Sequence, residues 1–130
     1  MRLQLLEATF AVCKLADGSG VEGEGTFLFL ARTDREWSLV CEEERIPAGC
    51  LAVEPGWRAL RVAETLDFSL TGVLAGLASC LADAGVPLFA LSTYDTDYLL
   101  VKGNDLERAA AALTAAGYRM EDRDKPSDGG

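Results

Sequence analysis

The stretch Val86-Pro87-Leu88-Phe89-Ala90-Leu91-Ser92-Thr93-Tyr94-Asp95-Thr96-Asp97-Tyr98-Leu99-Leu100-Val101 decides how the chain is read. Pro87 to Leu91 is an apolar run of the length of a buried strand. Tyr94-Asp95-Thr96 holds bend formers, and Tyr98 to Val101 is a second apolar run that returns beside the first. Asp95 and Asp97 flank the bend, where aspartate side chains bond nearby backbone N–H groups. A hard cation at this pair would need more oxygen ligands than one turn supplies.

The flanks extend the pattern. Upstream, residues 72–84 place Val73, Leu74, Leu77, Ala78 and Leu81 on one stripe, which predicts an amphipathic helix. Gly85 suits its left-handed end, and Pro87 cannot continue it. Before it, Trp57 to Ala63 reads as a half-buried strand. Downstream, Asn104-Asp105-Leu106-Glu107 has the spacing of a capping box. The helix it opens carries Leu106, Ala109, Ala110, Leu113 and Ala116 inward, Gly117 ends it, and Tyr118 to Met120 forms a last strand. Strand, helix, strand, strand, helix, strand makes an α+β, ferredoxin-like unit, one antiparallel sheet with both helices on one face.

The first half reads as strands alone. Leu3 to Leu15 is long and mostly apolar, Ala16 to Gly20 and Gly23-Glu24-Gly25 are loop, and Thr26 to Ala31 is a second strand. Thr33-Asp34-Arg35-Glu36 is a hairpin turn, and Trp37, Leu39 and Cys41 share one face of the strand after it. Glu54-Pro55-Gly56 separates the halves. The expected division is a strand-rich unit over residues 1–56, the βαββαβ unit over 57–120 and a disordered tail over 121–130.

Composition narrows the function classes. At 49% apolar residues, 130 residues bury a core without disulfides or metal. A net charge of −9 repels nucleic acid and anionic lipid. No window approaches the roughly 18 apolar residues of a membrane span. Glu7 interrupts any export signal, so the expected location is cytoplasmic. The four cysteines form no C-x-x-C pair and read as reduced core residues. The chain has no histidine, hence neither the commonest zinc ligand nor the commonest general base. No enzyme activity, cofactor or metal is expected. The glycines at 18, 20, 23 and 25 lack phosphate-loop spacing.

The segment from Val86 to Val101 resembles the hallmark of ACT domains related to the CASTOR cytosolic arginine sensors and to the regulatory domains of aspartate kinases. There a strand ends in Ser-Thr-Tyr or Ser-Thr-Phe and an aspartate precedes the return strand; Ser92-Thr93-Tyr94 and Asp97 match. Leu66-Asp67-Phe68-Ser69-Leu70-Thr71-Gly72-Val73 is similar to the loop entering the family's first helix, and Trp37-Ser38-Leu39-Val40 with Arg45-Ile46-Pro47 is a weaker match in the strand-rich half.

The resemblance implies a degenerate ACT-like unit preceding the ACT domain. It also implies an amino acid held between units or between the two copies of a homodimer. The ligand would lie between the helix-entering loop of one unit and a strand edge of another. The residues carried over are Asp67, Phe68, Ser69, Leu70, Thr71, Gly72 and Val73 for the loop, and Val86, Pro87 and Leu88 for the edge.

Elementary chemistry agrees with the place, since a helix N-terminus offers N–H groups and partial positive charge to an α-carboxylate. Strand carbonyls beside Pro87 accept from an ammonium group. Ser69 and Thr71 also suit helix capping, a role compatible with ligand contact. The second reading is a structural or interaction module of the same fold, with Leu70 and Pro87 filling the site and no ligand.

Overall fold

A computed structural model describes residues 1–21, 23–67 and 69–122, Asp122 by its backbone alone. The elements are β1 (Arg2–Leu15), β2 (Leu28–Arg32), β3 (Trp37–Glu42), β4 (Ala52–Val62), α1 (Val73–Asp83), β5 (Phe89–Ser92), β6 (Asp97–Lys102), α2 (Leu106–Ala115) and β7 (Arg119–Asp122). They form two compact units, one of Ala8–Trp57, the other of Met1–Glu7 with the chain from Arg58 onward.

The helix-bearing unit has the expected βαββαβ order from β4 to β7. Its strands lie in the order β7, β1, β4, β6, β5. β5 and β6 pair antiparallel, with Ser92 opposite Asp97 and Phe89 opposite Leu100. β7 runs parallel to the start of β1, Arg2 facing Arg119. The start of β1 therefore stands between the first and last strands of the motif. Leu3 on β1 joins Leu60, Val62, Leu99 and Val101 in the layer that receives Leu77 and Leu81 of α1 and Ala109 and Leu113 of α2. The stripes their spacing predicts are thus buried at Leu77 and Leu81 on α1 and at Ala109 and Leu113 on α2, whereas Ala116, expected inward, is exposed just past the end of α2. Cys80 donates to the Ala112 carbonyl at 3.3 Å, linking the helices.

Four details differ from the sequence reading. Glu54-Pro55-Gly56 is not a loop but lies inside the continuous strand β4, and the two units divide within that strand, between Trp57 and Arg58. Gly56 sits at φ 83°, a left-handed conformation that favours glycine, and such a residue within a strand reads in sequence like the breaker of a linker. The residues 1–7 belong with the helix-bearing unit because Leu3 and Leu5 pack into its core.

α2 starts at Leu106 after a single 3-10 turn, Gly103–Asp105, with no side-chain cap, so the Asn104/Glu107 capping box does not form. Asp105 instead accepts from Arg108 at 2.9 Å, and Arg108 also reaches the Gly85 carbonyl beyond the end of α1. Finally, β7 continues through Glu121 and Asp122, where Glu121 faces Gln4 and pairs with Arg2 at 3.5 Å. The remainder of the expected tail, 123–130, lies outside the described residues.

In the second unit the strands lie in the order β2, β3, β1 and the start of β4 (Ala52–Trp57), with β2–β3 and β3–β1 antiparallel. Its turn at Thr33–Glu36 is where the sequence puts it, closed by Thr33 N–H to Glu36 O at 2.9 Å. Ala11, Cys13, Leu15, Leu39 and Cys41 form its core beneath Val21, Trp37, Ile46 and Cys50. Phe10 makes an edge-to-face contact with Phe27, centroids 5.8 Å apart.

Candidate functional site

A cleft of about 300 Å³ opens in the helix-bearing unit between three segments. They are the loop after β4 (Leu66, Asp67, Leu70), the first turn of α1 (Gly72 to Ala75) and the β5–β6 turn (Ser92 to Asp97). Hydrogen bonds fix the walls against each other. Leu66 N–H donates to Asp95 O at 2.7 Å, and Thr96 Oγ1 donates to the Val62 carbonyl at 2.9 Å. The turn closes on itself through Thr93 N–H to Thr96 O at 2.9 Å. Ser92 Oγ donates to Asp97 Oδ1 at 2.6 Å across the hairpin, so the Ser-Thr-Tyr…Asp signature is in the first place a turn clamp.

The start of α1 supplies the opposite character. Its flanking residue is Gly72 at φ 81°, a left-handed conformation that leaves no side chain to cap the helix. The first helical bond is Gly76 N–H to Gly72 O, so the amides of Val73, Leu74 and Ala75 precede the intrahelical ladder. Those residues line the same cleft as Asp95 and Asp97. The cleft therefore has a pole that favours anions and a rim that favours cations.

Asp67 is committed elsewhere. Its carboxylate accepts from Ser69 N–H at 2.8 Å and from Ser69 Oγ at 2.7 Å. The backbone bond first, and the hydroxyl second, hold its pKa below the ordinary 3.8. A depressed folded-state value means that this loop bracing is present above the unfolded pKa and lost as pH falls through the folded one. In a carboxyl-carbon NMR titration, Asp67 is expected to titrate below 3.8. Ser69→Ala should raise its midpoint only partway, because the stronger backbone donor remains. An unchanged midpoint would contradict this assignment.

The same Asp-x-Ser brace recurs in the other unit, where Asp17 accepts from Ser19 N–H at 2.8 Å and its pKa is likewise lowered, chiefly by Ser19. A threonine-keyed hairpin turn recurs there too, at Thr33. Among the described residues of that unit no α-helix follows Asp17–Ser19. Brace and turn are thus scaffold, and what sets the helix-bearing unit apart is a helix opening on a cleft.

Of the residues singled out in the sequence, Asp67, Leu70, Gly72 and Val73 meet at this cleft. Ser69 serves Asp67 rather than capping α1, and Thr71 is exposed beside the cleft without lining it. Phe68 lies outside the described residues. Val86 is buried in the helix-facing core, Leu88 packs against that core and Pro87 is exposed; none of the three lines the cleft. Within one unit the loop faces the β5–β6 turn instead. The sequence reading did not place Leu66, Leu74, Ala75 and the turn residues from Ser92 to Asp97 in the site. The Ser92-Thr93-Tyr94 signature was the signal for them, read there as a family mark and a turn. Among the described residues no group of His, Cys, Asp and Glu has the arrangement of a metal site, and no helix is long and apolar enough to cross a membrane.

Residues 52–115 match the ACT domain family. The chain carries an ACT domain. Protein Atu0741 from Agobacterium tumefaciens is 34% identical over 95% of this chain and 94% of that one, with a TM-score of 0.83, and the two belong to one family. The ACT fold is also similar to VC0802 from Vibrio cholerae, a protein of unknown function, at 18% identity, 85% coverage of each chain and TM-score 0.65. The regulatory subunit of aspartate kinase from Thermus thermophilus is similar at 11% identity, over 88% of this chain and 96% of that one, TM-score 0.62. The likeness to aspartate kinase regulatory domains suggested by Ser92-Thr93-Tyr94 holds at the level of fold.

Proposed function

We propose that this chain is a regulatory ACT module that binds a free amino acid in the cleft between the start of α1 and the β5–β6 turn. The observation that carries the reading is the uncapped helix start facing Asp95 and Asp97 across about 300 Å³. An α-carboxylate matches the amides of the first turn, and an ammonium group matches the carboxylates and carbonyls of the hairpin. Likeness in fold to an aspartate kinase regulatory subunit supports a regulatory use. The chain carries out no chemistry of its own in this reading and uses no cofactor.

The functional form is a cytoplasmic homodimer, in the manner of the CASTOR sensors. Leu70 and Tyr94 stand at the rim of the cleft with 53% and 80% exposure, an apolar margin that a second copy would cover. The strand edge around Pro87 of that copy supplies the remaining wall. Ligand then acts by binding one assembly state more tightly than the other.

A thermal-shift screen over the proteinogenic amino acids, followed by sedimentation of the hit complex, tests this. One amino acid or a chemically related few should raise the melting temperature and favour the dimer. A ligand at a hundred times its Kd adds about 2.7 kcal/mol of stability. A flat response to every amino acid would leave the fold as an interaction module without a ligand.

A further inference from the structure

The walls of the cleft in the helix-bearing unit differ in chemistry, and the difference selects among amino acids. Leu66, Val73 and Leu74 are half-buried; they pack against the helix-facing core and also line the cleft, which gives it an apolar floor. Leu70 and Tyr94 carry that character out to the rim. An apolar group laid on such a floor leaves water and covers apolar surface, and both changes favour binding.

The charged side chains of the lining are all carboxylates. They are Asp67, Asp95 and Asp97, and among the described residues no lysine or arginine lines the cleft. Asp67 already accepts from the Ser69 hydroxyl at 2.7 Å, and Asp97 from that of Ser92 at 2.6 Å. Asp95 is thereby the carboxylate that can turn wholly to one ammonium group. An acidic ligand side chain would meet three like charges and no cation. A basic one would carry a second cation onto the apolar floor, where a charge without a partner is costly to bury. Hydroxyl and amide side chains would leave their polar atoms unpaired against leucine and valine.

We propose that the ligand is a neutral amino acid with a branched aliphatic side chain (leucine, isoleucine or valine), and that Leu66, Val73 and Leu74 determine this specificity. The proposal rests on the cleft being a zwitterion site and adds the class of side chain. The ammonium and carboxylate groups are common to all amino acids, so the choice among them falls to the floor. Each buried methylene strengthens binding roughly fourfold, so leucine, with three more carbons than alanine, should bind about fiftyfold tighter.

Isothermal titration of the full chain with each proteinogenic amino acid, repeated on Val73→Thr, tests the proposal. The wild type should bind leucine, isoleucine and valine, with alanine about fiftyfold weaker than leucine and glutamate and lysine weaker still. Val73→Thr keeps the shape of a half-buried side chain and places a hydroxyl on the floor. Its preference for leucine over threonine should fall about tenfold, the size of a methylene-scale change in an apolar pocket. Tightest binding by a charged or amide amino acid, equal binding of alanine and leucine, or an unchanged preference in Val73→Thr would overturn the aliphatic class while leaving a zwitterion site in place. Binding of no amino acid at all would remove that site, and the proposal with it.

Discussion

Leu60→Ala is expected to lower the unfolding free energy by about 3 kcal/mol, the cost of a large-to-small change where the site cannot collapse. Leu60 is fully buried and lies on β4 in the layer that receives both helices. Its neighbours Leu3, Val62, Leu99 and Val101 are on paired strands and cannot move in to fill the space. Total stability of a domain this size is of the order of 5–15 kcal/mol, so one such truncation removes a large part of it. Leu70→Ala, at a residue 53% exposed, should change stability by less than about 0.5 kcal/mol. Urea denaturation of the two variants checks both values. Equal losses would mean that the core is not where the helices meet β4.

Gly72→Val is expected to weaken amino-acid binding about tenfold or more while the domain stays folded. No atom would lie within 4 Å of an added Cβ, so the substitution causes no clash. The φ of 81° is the obstacle. A β-branched residue there costs about 1–2 kcal/mol, relieved when the backbone rotates and the first turn of α1 reorients. The amides of Val73 to Ala75 then no longer face the cleft. Affinity for the amino acid found in the screen should fall by about tenfold or more, equivalent to at least ~1.4 kcal/mol. Circular dichroism should show unchanged helix content and a modest fall in melting temperature. Undiminished binding would detach the ligand from the start of α1.

Local signals made much of this molecule legible in advance. Leu77 and Leu81 on α1, Ala109 and Leu113 on α2 and the two hairpin turns all follow from spacing and turn chemistry that a short window contains. Nothing local in Leu3–Leu15 states which strands flank it, and its insertion between β4 and β7 is a long-range outcome of burying Leu3. The continuous β4 was hidden because Pro55 and Gly56 are breaker residues that read locally as a boundary.

The likeness of the two hairpins was hidden for another reason. Thr33 and Thr93 hold equivalent turn positions, and Leu39 and Leu99 equivalent strand positions. The residues between them, Asp34 to Ser38 and Tyr94 to Tyr98, share no letter at equivalent positions, so the common turn does not stand out in the sequence. At the cleft, Asp67, Leu70, Gly72 and Val73 were singled out in the sequence, whereas the facing wall was not. The tie from Leu66 N–H to Asp95 O joins residues far apart in sequence and exists only once the sheet has formed.

The most direct test is an amide NMR titration of the uniformly nitrogen-15-labelled protein with the amino acid that stabilises it, alongside that amino acid's methyl ester and N-acetyl form. The free amino acid should shift the Val73, Leu74 and Ala75 amides together with those from Thr93 to Asp97. Both blocked forms should leave them in place, since each removes one of the two charges the cleft matches. Shifts confined to any other part of the sheet, or equal shifts from the blocked forms, would contradict a zwitterion held between the start of α1 and the β5–β6 turn.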